Sequence, residues 1–112
     1  MNINQVKDKK TVIQLDSKYR DVICNVAAGY PEIGKVVLLG SRAMGTADRG
    51  SDIDLAIIGP DISHATRLRF QDYLNQQTLI PFFVDVLDYQ TLTNAELRQH
   101  IDTHGVVIYE RK

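Results

Sequence analysis

Two aspartates, Asp52 and Asp54, interrupt the apolar run in residues 38–57, LLGSRAMGTADRGSDIDLAI. A carboxylate set among buried residues is costly unless something compensates its charge, and a ligand is one such compensation. Side chains alternate along a strand, so Asp52 and Asp54 project from one face while Ile53, Leu55 and Ile57 project from the other. Carboxylates at this spacing suit a pair of divalent ions about 3.5–4 Å apart. Oxygen-only donors favour Mg²⁺, which keeps water and completes its shell with substrate phosphate. A third carboxylate improves such a site. Asp85, in FFVDVL, is the first candidate because apolar residues again flank it, and Asp88 at the end of that run is the second.

Gly40 and Ser41 supply the other half. Gly40 lets a phosphate approach the main chain. Amides opening a short helical turn donate to that phosphate, the Ser41 hydroxyl adds a donor, and Arg42 offers a cationic fork. The spacing and the lysine of a P-loop are both absent. A phosphate cradle beside a carboxylate-held metal pair describes phosphoryl or nucleotidyl transfer. Each part also has a plainer reading. Asp-x-Asp occurs on solvated strand faces, the glycines serve turns, and Arg42 is equally compatible with the surface. The conjunction of Gly-Ser, Asp-x-Asp and Asp85 favours the site. His100 and His104 stand four apart, a spacing that can hold a metal, but placement near a helix C-terminus accounts for them more simply.

Positioning these residues calls for a small mixed α/β fold, with helices flanking a mixed sheet. Asp16 or Ser17 opens a helix to about Ala28, stopped by Gly29 and Pro31. Residues 35–39 read as a buried strand, residues 41–44 as one helical turn, and residues 53–58 as a second strand broken by Gly59 and Pro60. Ser63 caps a helix across residues 64–76, and residues 82–87 form the third strand. Thr93 and Glu96, at capping-box spacing, open a helix to about His104. Residues 106–109 close the chain as a short strand or packed tail. The connection before the third strand is long enough for a crossover, so part of the sheet can be parallel. Residues 1–15 read as an arm, loose or a short edge element, ahead of a single domain over residues 16–112.

The chain has 112 residues, the length of one domain. A hydrophobic fraction of 44% against 24% charged residues argues against wholesale disorder. A net charge of −1 gives no broad field for gripping nucleic acid, so direct nucleic-acid binding is not expected. Cys24 is the only cysteine, which excludes an intramolecular disulfide and a cysteine zinc cage and fits a reducing compartment. No run approaches the roughly 20 apolar residues of a membrane helix, and the first residues lack an apolar stretch of signal-peptide length. The expected location is the cytoplasm, with no membrane partner.

Gly40-Ser41, ten residues, then Asp52-x-Asp54 resembles the signature of the nucleotidyltransferase superfamily related to DNA polymerase β. GSRAMGTADRGSDIDLAI looks specifically like the minimal nucleotidyltransferases of prokaryotes. FFVDVLDY resembles their third-carboxylate strand, and ELRQHIDTHGVVIYE their closing helix and tail, so the likeness runs over about residues 17–110. The resemblance implies a small mixed sheet flanked by helices. Gly40 and Ser41 would hold nucleotide phosphates, Asp52 and Asp54 would bind Mg²⁺, and Asp85 would complete the metal site and help deprotonate the attacking hydroxyl. ATP is the family's usual nucleotide. Such proteins are typically paired with a helical HEPN-class RNase toxin, onto a tyrosine of which they transfer AMP as antitoxins. Two other readings stay open: an antitoxin that neutralises its partner by occlusion without turnover, and a small-molecule nucleotidyltransferase completed by a partner subunit.

Overall fold

Asp16 starts the first helix, its side chain accepting the Lys18 amide, and Ile23 and Ala27 fall on the buried face of α1 (Ser17–Ala28). The computed structural model describes residues 13–112. Strand β1 (Lys35–Leu39) runs directly into the single turn α2 (Gly40–Met44), and a loop leads to β2 (Ile53–Ile58). Ser63 caps α3 (His64–Gln76) by accepting the Thr66 amide. Strand β3 (Val84–Asp88), a 3₁₀ turn (Tyr89–Thr91), α4 (Ala95–His104) and β4 (Val106–Glu110) follow.

The sheet order is β3-β2-β1-β4. Strand β1 pairs antiparallel with β2 and β4, while β2 and β3 are parallel, joined by the α3 crossover. The sheet is therefore mixed and carries helices on both faces. On one face Val36, Leu38, Ile53, Leu55, Ile57, Val84 and Val86 pack with Ile23 and Ala27 of α1 and Phe70 and Leu74 of α3. On the other face a smaller cluster joins Val37, Leu39 and Ala56 to Ile101 and Leu97 of α4. Period-two alternation generates both cores from the same strands. Among the described residues no helix is long and apolar enough to cross a membrane.

Three boundaries differ from the sequence expectation. The third strand was expected over residues 82–87 and runs over Val84–Asp88. Pro81 brings no amide to a ladder, and Phe82 sits at a bend with its ring edge-on to Tyr19 at 5.9 Å. Asp88 ends the strand by accepting the Gln90 amide at 3.0 Å. The helix expected to open at Thr93 is capped by Asn94, whose side chain accepts the Leu97 amide at 3.0 Å. The expected arm over residues 1–15 is packed at its end: Leu15 is buried, Ile13 lies against the larger core, and the Gln14 amide donates to the Arg42 carbonyl at 2.8 Å. The rest of that arm lies outside the described residues.

Candidate active site

The strands deliver the carboxylates to one point. In the sheet register Leu39 lies beside Asp54, and Asp54 lies beside Asp85. All three therefore share the sheet face that carries the smaller core. Asp52 stands two residues before Asp54 on the same face, just ahead of the first residue of β2. Asp54 is half-buried, whereas Asp52 and Asp85 are exposed. Burial pushes the Asp54 carboxyl above the ordinary carboxylate range. The like charges of Asp85 and then Asp52 push it the same way, and Arg42 opposes them. Among the described residues none of these three carboxylates forms an ion pair.

Gly40 follows Leu39 at φ +67°, in the left-handed region. A Cβ built there would lie 2.9 Å from Oδ2 of Asp54. Glycine is thus required twice, by the backbone turn and by the carboxylate pressed against it. Ser41, the second residue of α2, is half-buried, and its carbonyl accepts the Gly45 and Thr46 amides. These bonds close α2 and fix the direction of the following loop.

Arg42, expected as a cationic fork for phosphate, is turned to the main chain. It is buried, and its guanidinium donates to main-chain carbonyls: Nε to Ser51 at 3.0 Å and Asp52 at 3.2 Å, Nη1 to Gln14 at 2.6 Å, and Nη2 to Ser51 at 2.7 Å. Its Cζ lies 4.4 Å from the centre of the Phe82 ring. Arg42 ties residues 14, 51 and 52 together, so it holds the main chain that presents Asp52.

A cavity of about 220 Å³ opens over the carboxylates, lined by Leu39, Gly40, Asp54, Asp85, Leu87, Leu97 and His100. One wall is the sheet face and the other is α4. Leu87, Leu97 and His100 were not singled out for this site from the sequence. The signal for them is periodicity: Leu87 lies two beyond Asp85 on its strand, and Leu97, His100 and Ile101 fall on one helical face. His100 and His104 lie with ring centres 4.9 Å apart. Among the described residues no three His, Cys, Asp or Glu side chains form a ready-made metal cage. An open carboxylate set suits a cation whose shell is finished by water and phosphate.

Comparisons with known proteins bear on the fold and the family. A probable protein adenylyltransferase MntA from Haemophilus influenzae is 38% identical over 74 residues, covering 65% of this chain and 63% of that protein, so the chain spans less than two thirds of that relative's length. The fold is shared with a crystal structure of the toxin-antitoxin MntA-HepT, at a TM-score of 0.66 and 19% identity, covering 86% of this chain and 74% of that one. It is also shared with a toxin-antitoxin structure with AMP-PNP, at a TM-score of 0.67 and 23% identity over 88% and 76% of the two chains. The family described as polymerase beta, nucleotidyltransferase matches residues 21–112, a span that holds every element carrying the carboxylates and the Gly40 turn, and this chain belongs to that family.

Proposed function

We propose that this chain is an Mg²⁺-dependent nucleotidyltransferase that moves AMP from ATP to a tyrosine hydroxyl of a HEPN-class RNase partner, acting as its antitoxin in the cytoplasm. The observation that carries the reading is the pairing of Asp54 with Asp85 across β2 and β3, beside a turn where a side chain in place of Gly40 would press on the Asp54 carboxylate. The likeness to a probable protein adenylyltransferase supports the transfer, and the likeness to toxin-antitoxin complexes, one with AMP-PNP, supports the nucleotide and the partner.

Asp52, Asp54 and Asp85 fit divalent metal, two ions in our reading, because their donors are all oxygen and, among the described residues, no cation forms an ion pair with them. Mg²⁺ bound there neutralises phosphate charge and orients the leaving group. Gly40 leaves space for phosphate against the main chain, and Ser41 adds its hydroxyl. Asp85, exposed on β3, takes the proton of the attacking hydroxyl. The acceptor oxygen bonds to the α-phosphorus, the bond from that phosphorus to the oxygen bridging the β-phosphorus breaks, and pyrophosphate leaves.

Intact-mass measurement of the chain and its HEPN-class partner after incubation with ATP and Mg²⁺ tests this. A gain of one or more AMP units on the partner is expected, and it is lost when Asp52→Asn/Asp54→Asn replaces the wild type. A stable complex with no mass gain would instead select neutralisation by occlusion.

A further inference from the structure

Phe83 has no assigned task, yet it is 52% exposed at the carboxylate edge. Its neighbours face the other way. Phe82 stacks edge-on to Tyr19 and lies under the Arg42 guanidinium, and Val84 and Val86 are fully buried in the larger core. Alternation therefore puts Phe83 on the face of Asp85 and Leu87. The Phe83 carbonyl accepts the Ile53 amide at 2.8 Å, so its backbone continues the parallel ladder. Carrying the register one step beyond Ile53 and Val84 sets Phe83 beside Asp52. An exposed ring thus borders two of the three carboxylates, held by a hydrogen-bonded backbone and left about half uncovered by the described residues.

The order across the sheet selects what covers it. Gly40 and Ser41 follow β1, Asp52 and Asp54 lie on β2, and Phe83 and Asp85 lie on β3. With the leaving pyrophosphate held on the Gly40 side, in-line attack brings the acceptor hydroxyl from the opposite side. That side is the β3 side, where Phe83 stands. We propose that Phe83 is the docking residue for the acceptor polypeptide, taking an apolar or aromatic side chain of the segment whose hydroxyl meets Asp85. Aromatic anchors beside a polar rim are the usual centre of a protein–protein contact. This inference rests on the nucleotidyl-transfer reading above.

The test is steady-state AMP transfer to the HEPN-class partner by wild type, Phe83→Ser and Phe83→Leu. For Phe83→Ser the KM for the partner is expected to rise about tenfold or more, with the KM for ATP and kcat within about twofold of wild type. Phe83→Leu, which keeps an apolar surface, restores most of the affinity. Should Phe83→Ser fail to fold, Phe83→Lys takes its place with the same expectation. An unchanged partner KM overturns the inference, and so does a rise confined to the KM for ATP, which would put the nucleobase on the ring. Absence of transfer by the wild type overturns the parent reading as well. Transfer by the wild type with an unaltered partner KM in the variant overturns this inference alone.

Discussion

Gly40 is the residue at which backbone and chemistry constrain each other most tightly. Its positive φ and the 2.9 Å approach of a built Cβ to the Asp54 carboxylate act together. Gly40→Ala is expected to cost about 1–2 kcal/mol in stability and about a hundredfold in AMP transfer, because Asp54 must move aside. Thermal melting and AMP incorporation check the two numbers separately, and an alanine variant with full transfer would defeat the geometry. Asp54 makes the opposite kind of prediction. Its carboxyl titrates higher in the folded chain than in the unfolded one, so the stability it contributes in acid is lost as pH rises through the folded value. At neutral pH in EDTA, Asp54→Asn should therefore melt above the wild type. Excess Mg²⁺ should raise the wild-type melting temperature much more than that of the variant. The type and spacing of Gly40, Asp52, Asp54 and Asp85 were legible in the sequence because a strand's period fixes which side chains share a face. The place of Arg42 was not, because a long cationic side chain can reach phosphate or carbonyl from the same Cα, and only the fold shows which it reaches.

At the scale of elements, the parallel edge strand β3 is finished by side chains in place of a fifth strand. Asn75 donates to the Val84 carbonyl and accepts the Val84 amide, each at 2.8 Å. Gln71 accepts the Val86 amide at 2.8 Å, and Arg67 donates to the Val86 carbonyl at 2.9 Å. These residues recur every four positions on α3, so one helical stripe tracks one strand edge. The helix and its Ser63 cap were readable from apolar spacing and capping chemistry. The polar stripe was not, since the same residues would serve equally well facing water. Unpaired edge groups are costly when covered and hazardous when open. Asn75→Ala is expected to lose about 1–3 kcal/mol, with faster amide exchange at Val84 than at Val86. Equal protection at both amides in variant and wild type would remove the edge-capping role. The shortened start of β3 has the same origin: the sequence shows an apolar run, but Pro81 and the inward turn of Phe82 decide where pairing begins.

For the whole molecule, the sheet separates stability from chemistry by face. The larger core, with α1 and α3, fills one side, while on the other α4 closes a smaller cluster and leaves the cavity beside Asp54 and Asp85. The end of the chain is tied to the first side. Arg111 donates from Nη2 to the carbonyls of Ala27, Ala28 and Tyr30, and from Nε to that of Ile33, while its amide donates to Gly34. A cation at the C-terminal carbonyls of α1 also complements that helix's dipole. It anchors β4, a sheet edge, to the helix that covers the larger core, and it touches none of the residues lining the cavity. Arg111→Ala takes the donor from the Ala28 and Ile33 carbonyls, while those of Ala27 and Tyr30 keep the Tyr30 and Ile33 amides, and is expected to cost about 2 kcal/mol. For a domain of this size that corresponds to a melting temperature lower by roughly 8 °C. Transfer measured at a temperature where both proteins stay folded should remain within about twofold of wild type. A variant that keeps its melting temperature would show that the clasp adds nothing to folding. A variant that folds normally but loses transfer would show that the two faces of the sheet are coupled.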